Sequence, residues 1–192
     1  MSKHNYHKKN GFSLLMVFLF TLLFFSSLSV AQGSRIEYKI KAGYLYNFTK
    51  FIAWPENKST TFNLCILGKD PFGLIINPIE KRTVHNKPIR LYRYQTVSEI
   101  KHCHIVYLGE SEDKWGNSEL SFSGVLTISS LEKTLTVSDS RQITQAGGMI
   151  SFFLKEGKVK LLVNLQALRK SGLEVSAKLL EVAEIYQGEA DD

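Results

Sequence analysis

The sequence predicts one layered α/β domain, with a mixed central β-sheet flanked by helices and a β-hairpin in its C-terminal half. Three observations carry this. Short apolar runs closed by glycine, Phe62–Gly68 and His104–Gly109, read as buried strands. Segments with apolar residues at helical spacing alternate with them, Ile36–Pro55 above all. Lys155-Glu156-Gly157-Lys158 separates two further apolar runs and reads as a hairpin, with glycine available for positive φ. Alternation first and a hairpin later give a sheet that is parallel at its centre, with the antiparallel hairpin at one edge.

The segment Met1–Ala31 stands apart from the fold. Lys3, Lys8 and Lys9 form a positive n-region, and Phe12–Phe25 is an apolar run broken only by Ser13 and Thr21. Ser29-Val30-Ala31 then offers small residues where a signal peptidase reads. An uncleaved anchor is the rival reading, since the apolar span approaches the ~18 residues a membrane helix needs. The small-residue site and Ser26, Ser27 and Ser29 favour cleavage after Ala31, hence export to the periplasm. Residues 32–187 then form one domain, long enough to bury a core, and residues 188–192 an acidic, disordered tail. Lys and Arg number 24 against 18 acids, a net of +6; the three lysines of the leader account for half of it. No basic patch with interleaved aromatics stands out, so nucleic-acid binding is not expected.

In Ile36–Pro55 the apolar line Ile36, Ile40, Tyr44, Phe48 and Phe51 predicts the buried face of a helix, which Pro55 ends. Tyr38, Tyr46 and Trp54 lie off that line. They either finish the core or form an aromatic patch for a partner. A polar loop, Glu56–Thr61, leads to the first strand. Asp70-Pro71 predicts a helix start, with Leu74, Ile75, Pro78 and Ile79 on its apolar side. Val84–Lys87 reads as a turn, Ile89–Tyr94 as an amphipathic strand and Val97–Lys101 as one helical turn. His104–Leu108 is the second apolar strand, Ser111–Leu120 a surface helix, and Gly124–Ser129 a third strand. Arg141–Ala146 is a loop or short helix. Met149–Leu154 and Val159–Val163 are the hairpin strands. Asn164–Arg169 begins a helix, and Ser176 caps a final one carrying Leu179, Leu180, Val182, Ala183 and Tyr186.

No catalytic constellation or cofactor motif emerges, and the chain is not expected to be an enzyme. Gly147-Gly148 lacks the spacing and lysine of a phosphate loop, and there is no G-x-S-x-G elbow. His102 and His104 would share one strand face with Cys103 on the other, but a metal site needs a third ligand; none is expected. Cys65 and Cys103 are the two cysteines. In an oxidising compartment a bridge is the usual outcome, stabilising by roughly 4 kcal/mol on the chain-entropy model. Free buried thiols or metal ligation are the alternatives. C-x-x-C is absent, so a bridge here would be structural.

Several pieces in fixed order resemble the YfiR/HmsC-type family of bacterial periplasmic proteins. They are KAGYLYNFTKFIAWP (41–55), FNLCILGKDPFG (62–73), CHIVYL (103–108), VLTIS (125–129), SD (138–139), GGMISF (147–152) and NLQALRKSGLEVSAKLLEVA (164–183). The resemblance covers about Ile36 to Tyr186. It implies an α/β fold and a regulatory role. YfiR-like proteins repress an inner-membrane diguanylate cyclase by binding its periplasmic sensory part, lowering cyclic-di-GMP and biofilm formation. Outer-membrane lipoproteins can sequester the repressor. Cys65 and Cys103 match one family disulfide. The second cystine of some members has no counterpart, since Val137–Gln145 holds no cysteine. Some relatives are linked to small aromatic ligands, and Arg169 and Lys170 could hold a ligand carboxylate. The second functional reading is therefore a periplasmic binder of amino acids or aromatics serving a transporter or sensor. The aromatic content is compatible with a homodimer.

Overall fold

The computed structural model describes residues 33–56, 58–109, 126 and 131–188. The chain divides into two compact units, residues 1–38 and 39–192. The backbone is helical over 33–51 (α1). The strands that follow are β1 (Ile52–Ala53), β2 (Phe62–Leu67), β3 (Thr83–Val84), β4 (Lys87–Tyr94) and β5 (Ile105–Leu108). After them come β6 (Leu135–Ser138), β7 (Ile150–Lys155), β8 (Lys158–Val163), β9 (Glu174–Val175) and β10 (Ala183–Ile185). Short helices α2 (Arg141–Gln145), α3 (Leu165–Lys170) and α4 (Ala177–Leu180) lie between the later strands.

Among the described residues one sheet runs in the order β10-β8-β7-β6-β5-β2-β4-β3, and β1 pairs with β9 in a separate two-stranded ribbon. From β7 to β4 all neighbours are parallel. Antiparallel pairs flank that block, β8 on β7 and β3 on β4. The hairpin predicted at the sheet edge is instead one strand inside it. Ala183–Ile185, expected as the end of the last helix, pairs in parallel with Leu161–Val163 and forms the outer strand. The last helix has Ser176 at its N-cap position but without the expected side-chain capping bond, and it stops at Leu180.

Three further expectations change. Asp70-Pro71 does not open a continuous helix. Asp70 Oδ1 accepts from the amides of Phe72 and Gly73, but Gly73 takes φ +51°, and two 3-10 turns follow, Gly73–Ile75 and Asn77–Lys81. Left-handed backbone at one residue ends the regular helical path. The third parallel strand is Leu135–Ser138 rather than Gly124–Ser129. Leu126 lies in helical backbone; the rest of that stretch, and Ser111–Leu120, fall outside the described residues. The hydroxyls of β6 hid it from a hydropathy reading. They are buried and satisfied internally: Thr136 Oγ1 accepts from Met149 N, and Ser138 Oγ donates to Leu108 O.

The buried side of α1 also differs. Ile36 and Ile40 are 53% and 46% exposed, and Tyr44 and Phe51 are half-buried. Phe48 is buried as expected, and Lys41, Leu45, Thr49 and Ile52 join it inward in place of the other stripe positions. The helix is turned by about one residue, ~100°, relative to the expected stripe. Lys41 is the cause: its ammonium pairs with Asp139 at 2.8 Å, so its stem lines the core. Phe48 stacks on Phe152 of β7 at 6.1 Å, with Tyr44 closing the triangle at 5.9 Å from Phe152. The hairpin turn is as expected. Glu156 and Gly157 take φ of +53° and +70°, the pattern of a two-residue turn whose twist suits antiparallel strands.

Phe48→Ala should cost roughly 3–5 kcal/mol in urea unfolding, and Ile40→Ala less than about 0.5 kcal/mol. Equal costs would restore the original stripe.

Candidate functional site

Strand alternation gives the sheet two faces. Leu64, Ile66, Ile105, Leu135, Val137 and Phe152 share the face toward α1, by register from β2 to β7. Cys65 lies on the other face, with Leu67, Val106 and Leu108. There it is bridged to Cys103, with Cα atoms 6.0 Å apart. The bridge ties β2 to the segment that enters β5 and sits in a cluster with Ile100, Leu131 and Ile143. It is a buried structural staple, and no free cysteine is left.

The aromatics set off the helical line separate. Trp54 donates its indole N–H to His104 O at 2.9 Å and packs edge-on against Phe62 at 5.1 Å. That is a packing role. Tyr46 is half-buried, its ring 4.5 Å from Lys50 Nζ and 5.7 Å from the Arg82 guanidinium. Tyr38 is half-buried in the first unit. Arg169 and Lys170 are exposed in the last turn of α3, where cations offset the negative end of the helix dipole. A carboxylate placed there would meet that same negative end. The structure does not bring these two together with Tyr46 or Trp54 through any contact among the described residues.

Buried polar residues, several of them not singled out by the sequence, tie both ends of the parallel strands. At the carboxyl ends of the parallel strands, Lys41 Nζ meets Asp139 Oδ2. Around them Ser151 Oγ donates to Ser140 O and shares a short hydrogen bond with Thr144 Oγ1. Asn164 Nδ2 donates to Thr144 O, and its Oδ1 caps α3 by accepting from Ala167 N. Gly109 approaches the preceding loop so closely that an added Cβ would overlap Lys69 O. At the amino ends, His104 is buried against Phe62, ring centroids 4.5 Å apart. Its Nδ1 accepts from Asn63 N at 3.0 Å, so the ring is neutral with its proton on Nε2. Burial first, then the charges of His102 and Lys87, lower its pKa to about 4. Among the described residues no group of three His, Cys, Asp or Glu side chains is placed to hold a metal. Nor is any helix there long and apolar enough to cross a membrane.

This arrangement is a sheet scaffold whose ends are tied by buried polar side chains. Residues 38–184 match the family model described as YfiR/HmsC-like, and the chain belongs to that family. Among solved structures it is similar to a conserved domain protein from Vibrio cholerae, at 10% identity and TM-score 0.45, covering 65% of this chain and 54% of that one. It is also similar to an ABC domain in complex with L-Trp from Streptococcus pneumonia, at 9% identity and TM-score 0.48, covering 73% and 59%. The chain thus spans 54% and 59% of the length of those structures, and at TM-scores below 0.5 neither bears on function. No curated protein matches it.

His104 contributes a pH dependence of defined sign. Its folded pKa lies below the usual 6.5, so the unfolded chain binds the extra proton first. Stability from this group is complete above pH 6.5 and is lost as pH falls toward 4. Thermal melts from pH 7 to 4 should show this decline, and His104→Asn should flatten it. An unchanged slope would remove His104 as the cause. Lys41→Met should cost about 3 kcal/mol by removing the ammonium from the partly buried Asp139 carboxylate, and adding Asp139→Leu should restore part of it. Two losses that simply add would show that the pair is not coupled.

Proposed function

We propose that this protein is an exported, periplasmic regulatory binding protein that represses a membrane-bound diguanylate cyclase. It would do so by direct contact with the enzyme's periplasmic sensory part, lowering cyclic-di-GMP and restraining biofilm formation. The observation that carries the reading is membership of the YfiR/HmsC-like family over residues 38–184. The leader-like segment Met1–Ala31 supports it, because the sensory part lies on the far side of the inner membrane. The work is binding rather than covalent chemistry. The protein would favour one conformation of the sensor, and a shift from mostly active to mostly inactive needs roughly 10⁴-fold preference, about 5.5 kcal/mol. An outer-membrane lipoprotein that competes for the repressor would relieve repression by mass action.

Of the aromatics proposed as partner contacts, Tyr46 fits best. Its ring is half-buried between two cations, so it offers a flat amphipathic surface already held in place. Tyr38 belongs to the same proposal.

Deleting the gene should raise cyclic-di-GMP and surface attachment, and the intact gene in trans should reverse both. Unchanged levels in a strain that carries such a cyclase would overturn the reading. Tyr46→Ala should weaken repression with an unchanged Tm, whereas Trp54→Ala should lower the Tm.

A further inference from the structure

The face of the sheet opposite α1 changes character at its β7–β8–β10 end. Over β2 and β5 every residue is buried. Along β8 burial alternates, and β7 passes from buried at Ile150–Phe152 to exposed at Leu154 and Lys155. The outward positions there are Phe153 and Lys155 on β7, Lys158 and Lys160 on β8, and Glu184 on β10, by register across the three strands. Arg141 of α2 joins them, its guanidinium 4.1 Å from the Phe153 ring and 3.5 Å from Glu184 Oε2. Lys155 Nζ reaches Glu184 Oε1 at 2.8 Å. The side chains of Lys155 and Arg141 are 58% and 53% exposed.

Among the described residues this face therefore carries four cations and one carboxylate, Glu184, with Glu156 at the adjoining turn. Lys158 and Lys160 make no ion pair among the described residues. Lys155 and Lys158 stand directly opposite each other across the hairpin. Like charges in that position destabilise the pair, so folding alone gives no reason for the arrangement. A negatively charged occupant would. Phe153 is half-buried, so among the described residues this face lacks the protruding apolar side chains that anchor a protein in a bilayer. Among the described residues β10 is the outermost strand, leaving its outer backbone edge available to an extended polypeptide.

We propose that the face formed by Arg141, Lys155, Lys158 and Lys160 around Phe153 is the docking surface for an acidic, extended segment of the partner protein. This rests on the reading of the chain as a regulator that works by protein contact. Phe153 supplies a rigid aromatic platform, Arg141 is already stacked on it, and Glu184 holds Lys155 and Arg141 in register. The lysines would set the encounter rate and the specificity, with the salt dependence such contacts show.

The test uses the purified protein, a labelled oligo-glutamate peptide and vesicles with and without anionic lipid. The peptide should bind, and raising the salt should weaken it. Lys155→Glu/Lys158→Glu/Lys160→Glu should cut affinity on the order of tenfold or more, with an unchanged circular dichroism spectrum. If that variant does not fold, the triple Lys→Gln variant should show a smaller loss in the same direction. Equal peptide binding by wild type and variant overturns the proposal. So does tighter binding to anionic vesicles than to peptide, or an oligomer that dissociates on charge reversal, which would give the face to a second copy. A large gain in peptide affinity on removing residues 189–192 would give it to the chain's own acidic tail. In cells, a deletion phenotype that the charge-reversed protein still complements overturns this surface but leaves the regulatory reading intact. Charge-dependent peptide binding without any deletion phenotype supports the surface and overturns the cyclase reading.

Discussion

Every residue of β2 and β5 is buried, and a parallel pair with no solvent face must be covered on both sides. The rest of the domain follows from this requirement. On one side α1 supplies the cover, through Leu45 and Phe48 against the sheet and Phe152 in particular. On the other side there is no long described helix. The segment before β5 is held down instead, and Cys65–Cys103 fixes it to the middle of β2. The disulfide shares that face with Leu131, Ile143 and the helical Leu126, which pack on the same cluster. It closes a loop of 38 residues and seats Ile100 over the strand it came from.

Covering a sheet so tightly buries polar groups as well, and most find a partner in the fold; Ser176 Oγ is buried without a hydrogen bond among the described residues. Lys41 enters the core only because Asp139 meets it. The hydroxyls of Thr136, Ser138, Thr144 and Ser151 and the amide of Asn164 take up backbone groups where β6, β7 and α3 converge. His104 and Trp54 perform the same service at the opposite edge. Partly satisfied networks are costly, whereas complete ones rigidify and specify one arrangement. Among the described residues the cover thins at the hairpin, where β8 alternates and the end of β7 is exposed. A sheet face left open in this way is where a scaffold of this kind can contact another molecule.

The local elements were largely legible. β2, β5 and the hairpin carry their signals in runs of four to six apolar residues bounded by glycine or by the Glu156-Gly157 turn. The N-cap at Asn164 and the Asx turn at Asp70 are chemistry of neighbours in sequence. The errors share one origin. β6 was missed and α1 was rotated because Thr136, Ser138 and Lys41 count as polar in any pattern, yet are buried against partners far along the chain. β10 was read as helix because its apolar residues fit that period. Its pairing with β8 outweighs the propensity of three residues.

By itself the sequence determined the class of fold, the family, the cystine and the turn that closes the hairpin. Each depends on residue types at short spacing or on ordered motifs. Only the tertiary structure decided which side of α1 is buried, where the hairpin sits in the sheet, and which lysines share a face. Those outcomes turn on pairings between residues such as Lys41 and Asp139, or Lys155 and Glu184, whose attraction depends on distance in space. Separation along the chain says nothing about that distance until the sheet has set its order.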